Sequence, residues 1–282
     1  MRSQSEAGRL LIYVAGRPGP RTCAAGLARD RSPGRGLHWL DFDTLPVYED
    51  GKAHYWIEDV QLAVSPSLSV MTAQEGGSKC RAKGPMLIIG DPISASPEFP
   101  KLAYAHEEIE RVQHASPDAE QTYTGSSAQP GVYRQAGPGG FSFVHFSAHA
   151  VANQESPLDS AIILSPQSES YKLYARTIAE IPLRADLVTI SACRSAGARA
   201  YSSEGLVGFA WAFLVAGAHN VIAGLWDVTD SSTPRMMDVL YSEIQAGKEP
   251  SAALRQAKLT LIHASGAFRK PYYWGPFQVY TR

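Results

Sequence analysis

Two residues of this chain have the types and the surroundings that nucleophilic chemistry requires. His149 follows the largely apolar run 141–147, and Cys193 follows the apolar run 187–192. A thiol attacks a carbonyl as its thiolate, and a nearby imidazole takes the proton and later gives it to the leaving group. We therefore predict a thiol mechanism with Cys193 as nucleophile and His149 as general base. The amides of Cys193 and of Ala150 are the expected donors to the oxyanion.

Both residues also have simpler interpretations. A single cysteine is more often a small buried hydrophobic side chain. The three cysteines are widely spaced, which argues against a disulfide framework or a structural zinc site. His145 and His149 would share one face of a strand, but no third ligand accompanies them, so a metal site is disfavoured. His145 is interpreted as a packed, hydrogen-bonded histidine, and no cofactor is expected.

The surrounding segments predict an α/β fold with a mainly parallel central sheet, because strand-like and helix-like patterns alternate. The strand-like runs are 10–14, 37–40, 54–64, 86–89, 141–147, 160–164, 187–192, 220–226 and 277–281. The predicted helices are 102–112, 175–180, 205–217, 234–245 and 251–262. Neighbouring parallel strands bring their carboxyl ends to one edge of the sheet, which would place His149 close to Cys193.

The sequence also supports more specific predictions about several side chains and one connecting segment. Residues 126–140 are rich in Gly, Pro and Ser and are predicted to be a connector. The amphipathic pattern of helix 102–112 predicts that its glutamates point outward; these are Glu107, Glu108 and Glu110. The large aromatic residues of the second half are assigned to the core: Trp211, Phe213 and Trp274.

The composition disfavours several functional classes. Hydrophobic residues make up 44% of the chain and charged residues 19%, as in an ordinary globular protein. The net charge is −1, so nucleic acid and anionic membranes are not expected partners. No apolar run is long enough to cross a bilayer, and we recognise no signal peptide, so a cytoplasmic location is expected. A nucleotide-binding domain is disfavoured because no Gly-rich phosphate loop follows a strand.

The N-terminal part differs from the rest in composition. Residues 17–35 are rich in Arg, Gly and Pro and poor in large aliphatic side chains. We therefore predict an irregular, partly disordered segment over residues 1–36, followed by one domain over residues 37–282.

A series of short motifs, in this order, resembles the CHAT domain, a branch of the caspase-like (clan CD) cysteine peptidases related to separase. The motifs are Ser65-Pro66-Ser67-Leu68, Gly90-Asp91-Pro92, the runs 144–150 and 191–193, Glu204-Gly205-Leu206, and the runs 213–218, 225–230 and 271–277. The resemblance extends from about residue 37 to the last residue. It implies a caspase-like layered fold with helices on both faces of the sheet, no metal, and a dyad that maps onto His149 and Cys193.

The resemblance also implies a substrate class. The run 226–230 is similar to the stretch of separase that helps to hold a basic side chain before the scissile bond (P1). A carboxylate pairs with arginine or lysine in such a pocket, which makes Asp227 or Asp230 the expected anchor. The alternative is that these carboxylates cap the helix that follows.

Two departures from the family pattern bear on activity and regulation. Ala150 stands where the family usually has glycine, and its Cβ is expected to crowd the oxyanion hole, although alanine is the mildest replacement. Such domains usually follow helical repeats that sense a signal. We therefore expect a protein or peptide substrate, a regulatory partner chain or helical-repeat protein, and a bacterial-type intracellular role in signalling or defence. The alternative is a non-catalytic interaction module in a signalling assembly.

Overall fold

The computed structural model describes residues 11–16, 41–65, 83–116, 119–153, 155–168, 170–192, 203–226 and 231–282. The strands are β1 (Leu11–Gly16), β2 (Pro46–Glu49), β3 (Lys52–Tyr55), β4 (Val60–Ser65), β5 (Met86–Pro92), β6 (Ala119–Gly125), β7 (Phe143–Val151), β8 (Ala161–Gln167), β9 (Ser170–Tyr174), β10 (Leu187–Ala192), β11 (Asn220–Gly224) and β12 (Phe277–Thr281). The helices are α1 (Ala105–Ala115), α2 (Pro130–Gln135), α3 (Ala175–Ala179), α4 (Ser203–Ala216), α5 (Thr233–Gln245), α6 (Pro250–Ile262) and α7 (Pro271–Trp274).

Within these residues, one ten-stranded sheet runs through the molecule in the order β1-β4-β12-β11-β10-β7-β5-β6. Its five adjacent strands from β11 to β6 are parallel, and β12 joins them antiparallel to β11 and borders β4 on its other side. The β8–β9 hairpin is attached to the end of β7, and β2 and β3 form a separate two-stranded sheet. The predicted α/β fold with a mainly parallel central sheet is confirmed.

Helices cover both faces of the central strands, so successive side chains of each strand enter two different cores. On β5, Leu87 and Ile89 belong to the first core, with α2, α3 and α4, whereas Met86 and Ile88 belong to the second core, with α1, α5 and α6. This alternation follows from the two-residue period of a strand. Burial on both faces explains the nearly continuous apolar runs of the parallel strands.

The boundaries of several elements differ from the predicted ones. The strand predicted over 141–147 extends to Val151, because its last residues pair with β8. The predicted connector 126–140 contains the short helix α2, which begins at a proline. The edge strands β6 and β9 were not predicted, because their mixed polar sequences lack the apolar pattern of buried strands.

Two expectations about side chains are wrong. Glu108 is 2% exposed and lies on the inner face of α1 beside Ile109 and Val112, where it finds buried polar partners. Trp211 is 40% exposed, whereas Phe213 and Trp274 lie in the core as predicted. Helix α4 is apolar around most of its circumference. The sheet and α3 cover only part of it, so one apolar face is exposed at the surface. None of the helices among the described residues is long and apolar enough to cross a membrane.

Helix α4 ends where the sequence predicts, at a glycine. Gly217 has a φ of 125°, a conformation that side chains rarely adopt, and a Cβ there would lie 2.0 Å from the carbonyl oxygen of Leu183. The chain therefore leaves the helix through a turn that only glycine fits.

Candidate active site

His149 lies near the carboxyl end of β7, and its side chain is buried. Its Nε2 atom is 2.6 Å from the carbonyl oxygen of Pro100. The ring of Phe99 packs beside the imidazole, with 5.9 Å between the ring centroids. Both contacts come from one segment, the loop that connects β5 to α1, so this loop fixes the orientation of the histidine ring.

The contact with Pro100 determines which nitrogen of the neutral His149 ring carries the hydrogen. A carbonyl oxygen only accepts hydrogen bonds, so Nε2 must carry the hydrogen and donate it. In the neutral ring the lone pair is then on Nδ1. This carbonyl is a third group beside the predicted dyad that sequence reasoning missed. Every residue carries a carbonyl, so no residue type could have indicated it.

The strand that leads to Cys193 lies directly beside β7. Strands β7 and β10 are parallel and in register, with Ala148 opposite Ala192, the last residue of β10. Cys193 itself lies outside the described residues, and so do Asp227 and Asp230, the predicted anchors of a basic side chain. Of the predicted site residues, the structure therefore describes His149 and Ala150.

Ala150 is the next residue of β7 and lies opposite Ile162 of β8. Its methyl group packs against the first core, together with the other even-numbered side chains of this strand. The side chain of His149 belongs to the opposite face, because side chains alternate along a strand. The methyl group at position 150 is thus accommodated by the core.

A buried polar network lies on the same face of β7 as His149. His145 Nε2 is 2.9 Å from Glu108 Oε1, and the Ser147 hydroxyl donates to the other carboxylate oxygen at 3.2 Å. The Tyr241 hydroxyl lies 3.0 Å from His145 Nδ1 and donates to Thr189 at 2.9 Å. The interpretation of His145 as a packed, hydrogen-bonded histidine is confirmed.

This network ties both candidate strands to two helices of the second core. Glu108 belongs to α1 and Tyr241 to α5, whereas His145 and Thr189 lie opposite each other on β7 and β10. Burial raises the pKa of the Tyr241 hydroxyl above its usual range, and the charge of Glu108 adds to this effect. The hydroxyl therefore stays protonated and donates at any ordinary pH.

A second charged cluster lies at the start of the domain. Lys258, fully buried on α6, forms an ion pair with Asp43, and the Asp41 carboxylate lies nearby. One oxygen of Asp41 accepts from the amide of Asp43, and the other has no hydrogen-bond partner among the described residues. Burial, partly offset by the charge of Lys258, raises the pKa of Asp41 from 3.8 to about 7.

In the part of the chain that the structure describes, no three His, Cys, Asp or Glu side chains are grouped as metal ligands would be.

Two solved structures are similar to part of this chain at low sequence identity. The separase–securin complex of Saccharomyces cerevisiae has a TM-score of 0.46 and 14% identity over 77% of this chain and 13% of the other chain. The Arg-specific cysteine proteinase gingipain R has a TM-score of 0.44 and 11% identity over 72% of this chain and 46% of the other.

Two curated proteins align with part of the sequence. Tetratricopeptide repeat protein 28 of Mus musculus is 31% identical over 112 residues, and its counterpart in Homo sapiens is 27% identical over 114 residues. Each alignment covers 40% of this chain but 4% of the relative, so the chain corresponds to a small part of those proteins.

A family model covers far more of the sequence. The model of the CHAT domain matches residues 32–282, which include the whole sheet except β1 and both strands of the candidate site. The chain belongs to the CHAT domain family.

Proposed function

We propose that this chain is a cysteine endopeptidase that cleaves peptide bonds through a dyad of Cys193 and His149. The observation that carries the proposal is the hydrogen bond between His149 Nε2 and the carbonyl of Pro100. It holds the imidazole in the tautomer in which Nδ1 accepts a proton. Membership of the CHAT family and the register of β10 beside β7 support the same assignment.

In the proposed reaction, His149 Nδ1 takes the thiol proton of Cys193, and the thiolate attacks the substrate carbonyl. The amides of Cys193 and Ala150 donate to the oxyanion that forms. When the C–N bond breaks, Nδ1–H gives its proton to the leaving amine, and a thioester remains. His149 then takes a proton from water and the new hydroxyl attacks the thioester. The C–S bond breaks, the carboxylic acid product leaves, and the proton returns to the Cys193 sulfur. Pro100 stabilises the imidazolium that forms transiently, because its carbonyl faces Nε2–H.

The proposed substrate carries arginine or lysine before the scissile bond, with Asp227 or Asp230 as its partner. The support for this part is the resemblance of residues 226–230 to the corresponding stretch of separase. We further propose that the domain works in the cytoplasm in a regulated role in signalling or defence, and that a second chain or a helical-repeat protein controls it. The name of the curated relatives, tetratricopeptide repeat protein, is consistent with such an arrangement.

The test uses the purified wild-type chain beside Cys193→Ala, His149→Gln and the matched control Cys80→Ala. Each chain is incubated with peptides that differ at P1 and with a chloromethyl ketone that carries a basic P1 residue. Mass spectrometry locates any adduct. We expect labelling of Cys193 and cleavage after arginine or lysine in the wild type and in Cys80→Ala, and neither in the other two variants.

Other outcomes separate the parts of the proposal. Labelling of Cys193 with cleavage after non-basic residues would retain the peptidase but remove the roles of Asp227 and Asp230. A folded chain that neither labels nor cleaves, even with a candidate repeat protein added, would instead assign it to a non-catalytic interaction module.

A further inference from the structure

The loop between β5 and α1 presents the Pro100 carbonyl to His149, and its own contacts hold it in place. The amide of Phe99 donates to the carbonyl of Ser96 at 2.9 Å, and the hydroxyl of Ser94 donates to the carbonyl of Phe99 at 2.8 Å. Beyond Pro100, the ammonium group of Lys101 lies 3.5 Å from the carboxylate of Asp91. An ion pair therefore connects the end of β5 to the residue that follows Pro100.

Asp91 has an uncommon conformation for this position. Its φ is 44°, in the left-handed region, where aspartate is enriched among the few residues other than glycine that adopt it. Its side chain is 10% exposed, and the carboxylate oxygen that faces Lys101, Oδ1, makes no hydrogen bond among the described residues, so this contact is an ion pair only. Strained residues of this kind persist where the surrounding contacts determine them, and such residues cluster at functional sites.

The residue before Asp91 on β5 packs closely against β7, the strand that carries His149. Gly90 pairs with Ser147, two residues before His149, and a Cβ at Gly90 would lie 2.7 Å from the carbonyl oxygen of Ser147. Asp91 is thus attached to a rigid part of the sheet. Its two partners, the ammonium group of Lys101 and the imidazole of His106 at 3.6 Å, come from the far end of the loop and from α1.

We propose that Asp91 and Lys101 are positioning residues for His149. Their ion pair holds the loop so that the Pro100 carbonyl stays on Nε2 and the histidine remains in the tautomer with a basic Nδ1. The effect on rate rests on the proposed peptidase function, whereas the effect on the tautomer does not. The imidazole of His106 also contacts the Asp91 carboxylate, so a change at Asp91 affects two contacts whereas a change at Lys101 affects one.

The first test observes the tautomer directly. Ring nitrogen signals are recorded on the ¹⁵N-labelled chain at about pH 8, where an ordinary histidine is neutral, and His149 is assigned by comparison with His149→Gln. We expect the wild type to show a protonated Nε2 and an unprotonated Nδ1. Asp91→Asn, which tolerates the left-handed backbone, and Lys101→Met should both shift the signals toward a mixture of tautomers, with the larger shift in Asp91→Asn.

The control and the kinetics complete the design. Lys248→Met removes another partly exposed lysine, which pairs with Glu243 and lies far from the β5–α1 loop in the sequence. This change should leave the His149 signals unchanged. If the wild type cleaves peptides, Asp91→Asn and Lys101→Met should lower kcat about 2- to 10-fold with KM unchanged. The double variant should lose less than the product of the two single losses, because both changes break one interaction.

Two results distinguish this proposal from the proposed function. An unchanged tautomer in Asp91→Asn would overturn the positioning role, whether or not the chain is a peptidase. Tautomer mixing in the variants of a chain that neither labels at Cys193 nor cleaves peptides, even with a candidate repeat protein added, would support the positioning role and reject the peptidase.

Discussion

Two buried tyrosine hydroxyls of this protein differ in their hydrogen bonding. The Tyr241 hydroxyl lies between His145 and Thr189 and contacts both. Tyr133 is equally buried, with its ring beside those of Phe146 and Phe213, but its hydroxyl has no hydrogen-bond partner among the described residues. A buried polar group is costly only if it is unpaired, so the same substitution should act differently at the two positions.

We expect Tyr241→Phe to lower the free energy of unfolding by about 1–3 kcal/mol, because it leaves His145 and Thr189 without their shared partner. Tyr133→Phe removes an unpaired hydroxyl and should be neutral or stabilising. Urea denaturation of the two variants and the wild type measures both values. A loss in Tyr133→Phe as large as that in Tyr241→Phe would contradict this account.

Asp41 gives the stability a dependence on pH that can be checked. Its pKa is raised from 3.8 to about 7, so between these values the folded chain binds a proton that the unfolded chain has lost. Unfolding then becomes easier as the pH rises through this window. Other groups that face Asp41 are Asp43, Lys258 and Tyr280.

We expect Asp41→Asn to match the wild type in stability near pH 4 and to become the more stable chain as the pH approaches 7 and above, because asparagine does not titrate. Melting temperatures of both chains across this range provide the measurement. A difference that stays constant with pH would show that Asp41 does not titrate in this window.

At the scale of the elements, the end of α4 depends on one residue. Gly217→Ala combines an unfavourable φ with a contact of 2.0 Å to the backbone of Leu183, whereas Gly247, with a φ of 87°, has no atom within 4 Å of an added Cβ. We expect Gly217→Ala to cost about 2–4 kcal/mol and Gly247→Ala about 1 kcal/mol. Thermal unfolding of the two variants compares them, and equal losses would exclude the contact with Leu183 as the cause.

The sequence pattern predicted the strands that lie in the interior of the sheet. Leu187–Ala192 and Phe277–Thr281 have the predicted bounds, because apolar runs between turn residues are typical of buried strands. The inward position of Glu108 was not predictable, because the partners that compensate its charge, His145 and Ser147, come from a strand far along the chain. His149 could be singled out by type and position, whereas its partner at Pro100 is a backbone atom.

At the scale of the whole molecule, we expect the protection of backbone amides from hydrogen exchange to differ between regions. Strands β7 and β10 lie at the centre of the sheet between two cores, whereas β2 and β3 form a separate hairpin with mostly exposed side chains, such as that of Tyr48. In hydrogen exchange followed by mass spectrometry, we expect amides of β7 and β10 to exchange slowest and those of β2 and β3 to exchange orders of magnitude faster. Similar rates in the two regions would indicate that the hairpin is part of the cooperative core.

The position of β12 has a consequence for biosynthesis. This strand is the last one in the sequence described, yet it lies inside the sheet, between β11 and β4. While the ribosome is still making residues 277–281, the earlier strands have emerged but the β1–β4 pair has no place to dock beside β11. The nascent chain therefore carries two unjoined sheet edges until the end of this domain leaves the exit tunnel, and chaperones that shield such edges would act on it during that interval.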